Sequence, residues 1–377
     1  MKVKFENIIC RVEGKVNAQT TDIPNYLGKG HGECGEIAIT QHGDLLKDRA
    51  TLGMAFRFSF KKGDVLFMSR SFSNRKAGMA MFDGICSEKT FVLRTKDGNI
   101  LLQKYLPLII QNDEFWEYCE ENKAGGVNNF INWKTIANYE LDIPSIEEQK
   151  IIANKTWAAY RLKEGYKKLL AATDEMVKSQ FIEMFGTLDE PKVNVSKLID
   201  VVVSSGQYGS NTSATDYQEG KPRYIRITDI NDDGSLNDDI KTAEVIDDKY
   251  RLESGDIVFA RTGATVGKTY LHEAGDAIYA GYLIKYQMDS ELMKPLFMKA
   301  FTHSKTYYNW VANSQKVGAQ PNISATQYDQ MPILVPSVDE QEAFLKIYQQ
   351  ADKSKSHVLK ALKETEILLQ HSIRQVV

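Results

Sequence analysis

Two stretches of this chain carry apolar residues at helical spacing over a longer run than any other. The first follows Ile143-Pro144-Ser145 and ends near Phe185, and the second follows Val335-Pro336-Ser337 and ends at Val377. In the first, Leu162, Leu169 and Met176 recur every seven residues, with Ala158, Gly165 and Ala172 interleaved. In the second, Phe344, Ala351, Val358, Thr365 and Ser372 interleave with Tyr348, Leu362, Leu369 and Val376. Heptads of this kind make an apolar seam that another helix covers. The two helices are therefore expected to pack on each other, antiparallel, each about 57–60 Å long. Both open on a capping box, Ser145 with Glu148 and Ser337 with Glu340, which satisfies backbone N–H groups left open in the first turn. Gly186 supplies a stop for the first.

The two helix starts are near copies. Ile143-Pro144-Ser145-Ile146-Glu147-Glu148-Gln149 and Val335-Pro336-Ser337-Val338-Asp339-Glu340-Gln341 stand 192 positions apart. The same offset relates Gly63-Asp64-Val65-Leu66-Phe67 to Gly255-Asp256-Ile257-Val258-Phe259, and also Lys76 to Lys268, Gly126 to Gly318 and Gly14 to Gly206. The chain is thus an internal repeat, about 1–185 and 193–377, each half a globular region followed by a long helix. Short alternating or apolar runs predict strands at Met1–Glu6, Glu36–Thr40, Val65–Met68, Phe91–Arg94 and Arg223–Ile230, and after Gly255. Leu101–Glu121 and Ser290–Val311 read as helical. The expected architecture is a mixed α/β (α+β) one, with globular domains over 1–142 and 187–334 and spacer helices over 143–186 and 335–377.

A chain of 377 residues is long enough for two or three separate cores. No apolar run approaches the ~18 residues of a membrane span. The N-terminus lacks a signal peptide's apolar segment, so a cytoplasmic location is expected. Cys10, Cys34, Cys86 and Cys119 are not clustered and the histidines are scattered, which supports neither a metal site nor a disulfide framework. A net charge of −3 argues against a simple basic coat for nucleic acid, but leaves room for a reader with local basic patches.

Candidate chemistry lies in the loops. Gly263-Ala264-Thr265-Val266-Gly267-Lys268-Thr269 is close to a phosphate-cradling loop, which would make the chain a nucleotide-binding protein. That loop needs four residues between its glycines and should open a helix. Here there are three, and Tyr270-Leu271-His272 continues as strand. Arg261, Thr265 and Lys268 suit contact with a sugar-phosphate backbone or a guanine edge; the alternative is an ordinary basic hairpin. Arg70, Arg75 and Lys76 occupy the equivalent loop of the first half, without its glycines. Arg223 and Arg226 add basic residues to a strand. Asn128 and Asn129 in one half, with Gln320 and Asn322 in the other, place amides before the helices, either as adenine readers or as loop and cap residues. Trp157, Tyr160 and Tyr166 lie near the seam of the first helix, either as core or as a docking face. The chain carries no Asn/Asp-Pro-Pro-aromatic signature, no nucleophile elbow and no His-Glu-x-x-His.

With these residues in view the sequence resembles the specificity (S) subunits of type I restriction-modification enzymes. The likeness is sharpest at Ile143–Gly186, including Ser179-Gln180-Phe181-Ile182-Glu183-Met184-Phe185-Gly186, and at Val335–Val377. It extends to Tyr224-Ile225-Arg226 with Asp229-Ile230, and to Gly255 through Lys268. The resemblance implies two target-recognition domains, each reading one half of a split asymmetric site in double-stranded DNA. It implies antiparallel spacer helices that bind two adenine methyltransferase subunits, with Phe181 joining the aromatic residues of the docking face, and motor-nuclease subunits outside them. S-adenosylmethionine, ATP and Mg would then sit on those partners, with no cofactor or catalytic residue in this chain. A coiled-coil scaffold binding other proteins through its globular ends is the alternative.

Overall fold

The computed structural model describes residues 2–70, 72–315 and 321–376. Gly318 and Gln320, assigned above to the loop before the second long helix, lie outside these residues.

Both long helices form, α1 over Ile146–Phe185 and α2 over Val338–Arg374. Both capping boxes close. Glu148 N donates to Ser145 Oγ at 3.3 Å while Ser145 N donates to Glu148 Oε2 at 2.8 Å. At the second start the corresponding distances are 3.4 and 2.9 Å.

Packing divides the chain into two compact units, Met1–Lys168 with Leu359–Val377, and Leu169–Val358. In unit 1 a sheet runs in the order Ile9–Val12, Thr90–Thr95, Val65–Met68 (β1), Ala77–Ala80, Ala38–Ile39, antiparallel except for its last pair. A second five-stranded sheet lies in the same unit, and Lys2–Lys4 pairs antiparallel with Glu140–Asp142. The main core joins β1 to helices Leu106–Gln111 and Asp113–Glu121, to Ala153, Trp157 and Tyr160 of α1, to Leu369 and Ile373 of α2, and to Val376 just beyond it. Tyr105 Oη donates to the Val376 carbonyl at 2.9 Å, and the Asn112 amide to that of Ile373 at 3.0 Å.

Unit 2 repeats this plan around Asp256–Ala260 (β2), in a sheet ordered Gln207–Tyr208, Leu283–Gln287, β2, Thr269–Leu271. Phe181 and Phe185 of α1 and Phe344 of α2 complete its core with Phe297 and Phe301. In this unit α1 and α2 run antiparallel: Asp174 pairs with Lys355 at 2.6 Å, and the Phe181 and Phe344 rings lie 5.4 Å apart.

The two predicted single helices are each broken. Asn112 ends one and caps the next by accepting from Glu114 N, and Ser304 does the same between Pro295–Thr302 and Lys305–Ser314 by accepting from Tyr307 N. A short polar side chain competes well for backbone N–H groups, so it caps in preference to continuing a helix. The N-terminal strand spans only Lys2–Lys4 before a helical turn, Phe5–Ile8. Arg223–Ile225 is a strand, but Ile227–Asp229 turns, because the Asp229 carboxylate takes the Arg226 backbone N–H.

The heptad reading holds for α2 and the residues just after it: Phe344, Ala351, Thr365, Leu369, Ser372 and Val376 are buried, and Tyr348, Val358 and Leu362 half-buried. It fails for α1. Leu162, Leu169 and Met176 are 49, 48 and 49% exposed, while Gln149, Ala153, Thr156, Trp157, Tyr160, Lys163, Phe181 and Phe185 face inward. Helix α1 carries two stripes. The aromatic one covers more apolar area when it meets the globular regions, and so decides the helix's rotation.

A glutamine fastens each helix to its unit by the same three bonds. Gln149 Nε2 donates to the carbonyls of Ile100 and Pro144 at 2.9 and 3.0 Å, and its Oε1 accepts from Leu102 N at 3.0 Å. Gln341 repeats this with Leu292 and Pro336 at 2.8 and 3.0 Å, and with Lys294 N at 2.8 Å. Both side chains are fully buried. Replacing either by alanine strands one N–H and two carbonyls in the interior, and should lower stability by about 3 kcal/mol. A denaturant midpoint implying less than about 0.5 kcal/mol for both variants would remove the glutamines from this role.

Candidate nucleic-acid interface

The end of the central strand and the loop before the short pre-helix segment meet in the same way in both units. In unit 1 Arg70 bridges Phe130, and Ile131 N donates to the Ser69 carbonyl at 3.0 Å. In unit 2 Thr262 bridges Asn322, and Ile323 N donates to the Arg261 carbonyl at 2.8 Å. Every position here is offset by 192. Met68 N to Lys76 O, at 3.1 Å, likewise matches Ala260 N to Lys268 O, at 2.8 Å. One backbone junction therefore carries two different sets of side chains.

In unit 2 the junction brings Arg261 and Asn322 together, with Thr265 on the adjoining turn. Arg261 Nε and Nη2 donate to Asn322 Oδ1 at 3.3 and 3.2 Å, and the guanidinium lies 4.7 Å above the Tyr208 ring. Thr265 Oγ1 donates to the Thr262 carbonyl at 3.2 Å. Gly263 and Gly267 have φ of 71° and 89°, a region closed to most side chains, and a Cβ on Gly267 would fall 2.7 Å from Val311 Cγ1. The turn at Gly263–Thr265 leads into strand Thr269–Leu271 and opens no helix. The glycines serve the hairpin's conformation, and no phosphate-cradling loop is built.

Buried tyrosines hold this surface from beneath. Tyr328 Oη donates to the Ala260 carbonyl at 3.1 Å and Tyr307 Oη to that of Gly267 at 2.8 Å. Tyr286 Oη donates to Asp329 Oδ1 at 2.8 Å, and burial with that bond raises its phenol above the ordinary value. Tyr208 Oη accepts from Ala325 N at 3.0 Å, so its ring is fixed where Arg261 rests.

The other basic residues singled out in this unit are engaged elsewhere. Lys268 pairs with Asp232 at 2.8 Å and donates to the Ile230 carbonyl at 3.3 Å. Arg226 grips Asp229 and reaches Asp239 at 2.9 Å, and it holds the Asp239 carboxyl below the usual range. Arg223 donates to the Asn237 carbonyl at 2.6 Å. Arg223 and Arg226 thus brace the acidic 229–239 loop.

In unit 1 Arg70 and Asn128 are exposed beside each other's loops, and the half-buried Asn129 lies on the same loop as Asn128. Arg75 turns away, with φ of 45° and a 2.6 Å bond to Asp113 that lowers the carboxyl's pKa. Lys76 donates to the Lys29 carbonyl at 3.1 Å.

The aromatic residues proposed as a docking face are corrected by their burial. Trp157 donates to the Lys104 carbonyl at 2.7 Å and packs on Tyr160, and Phe181 sits among four other phenylalanines. All three are core residues, because these large rings cover the globular regions; Tyr166 is half-buried. Tyr208, 43% exposed beneath Arg261, escaped the sequence reading, because its partner Arg261 lies at the end of another strand. Among the described residues no cluster of His, Cys, Asp or Glu could hold a metal ion, and no helix is long and apolar enough to cross a membrane.

A family profile for the type I restriction modification DNA specificity domain matches residues 38–161 and 191–367, one segment in each half of the repeat. The chain belongs to that family. Its function is to supply DNA sequence specificity to a type I restriction-modification system. Two solved structures share the fold. One, described for complex assembly and conformational transition of the type I R-M system, aligns at a TM-score of 0.57 and 15% identity, covering 100% of this chain and 97% of that one. The other, the S subunit of a type I system from M. genitalium, aligns at 0.61 and 15%, covering 100% and 95%. No curated protein matches the chain.

Proposed function

We propose that each globular region reads one half of a bipartite, asymmetric site in double-stranded DNA. The observation carrying this reading is the two-loop junction built twice on one backbone plan with unlike side chains, Arg70 and Phe130 in one unit and Thr262 and Asn322 in the other. Shared geometry presents the loops alike, and different side chains select different bases. The chain works in the cytoplasm as the non-catalytic member of its complex. Two adenine methyltransferase subunits bind S-adenosylmethionine, and motor-nuclease subunits use ATP and Mg.

The half-exposed stripe of α1 supports a docking role for that helix. Leu162, Leu169 and Met176 alternate with Ala158, Gly165 and Ala172, and small residues let a partner helix approach closely. A methyltransferase helix is the occupant we assign to it.

The test of the recognition reading is an exchange of residues 193–334 for the equivalent region of a relative. Sequencing methylated sites in cells carrying the chimera should show one half-site replaced and the other kept. A change in both halves would refute the assignment of one domain to one half-site.

A further inference from the structure

We propose that Arg261 reads a guanine in the half-site of unit 2, and that Asn322 and Tyr208 are the residues that aim it. The inference rests on the reading of unit 2 as a DNA-recognition domain and goes further, to a base and an atom pair.

The guanidinium has two hydrogen-bonding edges. Asn322 Oδ1 occupies the side edge through Nε and Nη2, at 3.3 and 3.2 Å. Among the described residues Nη1 has no acceptor, so the end edge, Nη1 with the outer Nη2 proton, remains as a two-donor fork. Guanine O6 and N7 present two acceptors at the matching spacing in the major groove, and no other base does. The fork is also held still. The Tyr208 ring lies 4.7 Å beneath it, and the Arg261 backbone is bonded on both sides, N to the Tyr282 carbonyl at 3.0 Å and O from Ile323 N at 2.8 Å. A phosphate contact needs little such orientation; a base edge needs it in full.

The electrostatics agree. Lys268, Arg226 and Lys241 each face a carboxylate, whereas Arg261 has no ion pair among the described residues. Its neighbours are a neutral amide and an aromatic face, which leave its charge available to an outside acceptor. In unit 1 the equivalent of Arg261 is Ser69, buried and bonded to the Lys89 carbonyl at 2.8 Å, and that of Asn322 is Phe130. The trio belongs to unit 2 alone, as a specificity device should.

The experiment selects duplexes from a randomised library with the full chain assembled with its methyltransferase subunits. The wild-type complex should select one invariant guanine in the unit 2 half-site. Arg261→Ala should lose that preference alone and bind the selected duplex roughly ten- to a hundredfold more weakly. Replacing the guanine by 7-deazaguanine, which removes N7, should weaken the wild type and leave Arg261→Ala unaffected. Tyr208→Phe, which keeps the ring but loses the bond from Ala325 N, should relax the preference less than Tyr208→Leu, and both should act at that position only. Equal weakening by Arg261→Ala on all sequences, with a flatter salt dependence and indifference to 7-deazaguanine, would make Arg261 a phosphate contact and overturn the proposal. A wild-type complex that selects no sequence would instead overturn the recognition reading.

Discussion

Phe181→Ala should open unit 2 at its base. The ring is 3% exposed and lies 5.1 to 6.4 Å from those of Phe185, Phe297, Phe301 and Phe344. Emptying such a site removes the ring's transfer energy and leaves a cavity, a combined loss of about 3–5 kcal/mol. Amide exchange in β2 and in helix Pro295–Thr302 should accelerate by roughly two orders of magnitude or more, since each ~1.4 kcal/mol is a factor of ten. An exchange rate within threefold of the wild type would show that Phe181 is not part of this core. Where exchange accelerates as expected, any loss of partner binding in the variant follows from the loss of structure.

Leu169→Asp should do the opposite. This side chain is half exposed and belongs to neither hydrophobic core, so the folded chain should lose no more than about 0.5 kcal/mol, from helix propensity. A charge set in an apolar docking seam must be desolvated when a partner helix closes on it. Assembly with the methyltransferase subunit should weaken at least tenfold, measured by sedimentation with the denaturant midpoint as control. A midpoint as low as that of Phe181→Ala would mean the seam is covered within this chain, and unchanged assembly would place the docking face elsewhere.

These two variants separate what the sequence could and could not disclose about α1. Its existence, its cap and its repeat were all local features, carried by Pro144, Ser145 and Glu148. Which of two apolar stripes turns inward was not local. Heptad counting favours the Leu162–Leu169–Met176 stripe, but the globular regions are closed by the larger rings of Trp157, Tyr160, Phe181 and Phe185. The interface divides along the same line. Gly263 and Gly267 announced a hairpin, and Arg261 announced a cation upon it. The contacts that orient Arg261 come from Asn322, 61 residues away, and from Tyr208 on another strand. Pairings over that distance leave no trace in spacing. The partners of Arg226 and Lys268 are the acidic residues Asp229, Asp239 and Asp232, brought into range where the chain turns at Ile227–Asp229.

Unit 1 draws its last core residues, Leu369, Ile373 and Val376, from the far end of α2 and the turn after it, whereas unit 2 is one continuous segment. On a ribosome, which delivers ~5–20 residues per second, those three side chains emerge on the order of ten to forty seconds after the rest of unit 1. Throughout that interval Tyr105 and Asn112 lack the carbonyls they will bind, and the part of the core that Leu369, Ile373 and Val376 complete stays open. Unit 2 has meanwhile received everything it needs. The half of the protein that is synthesised first is the half that is finished last.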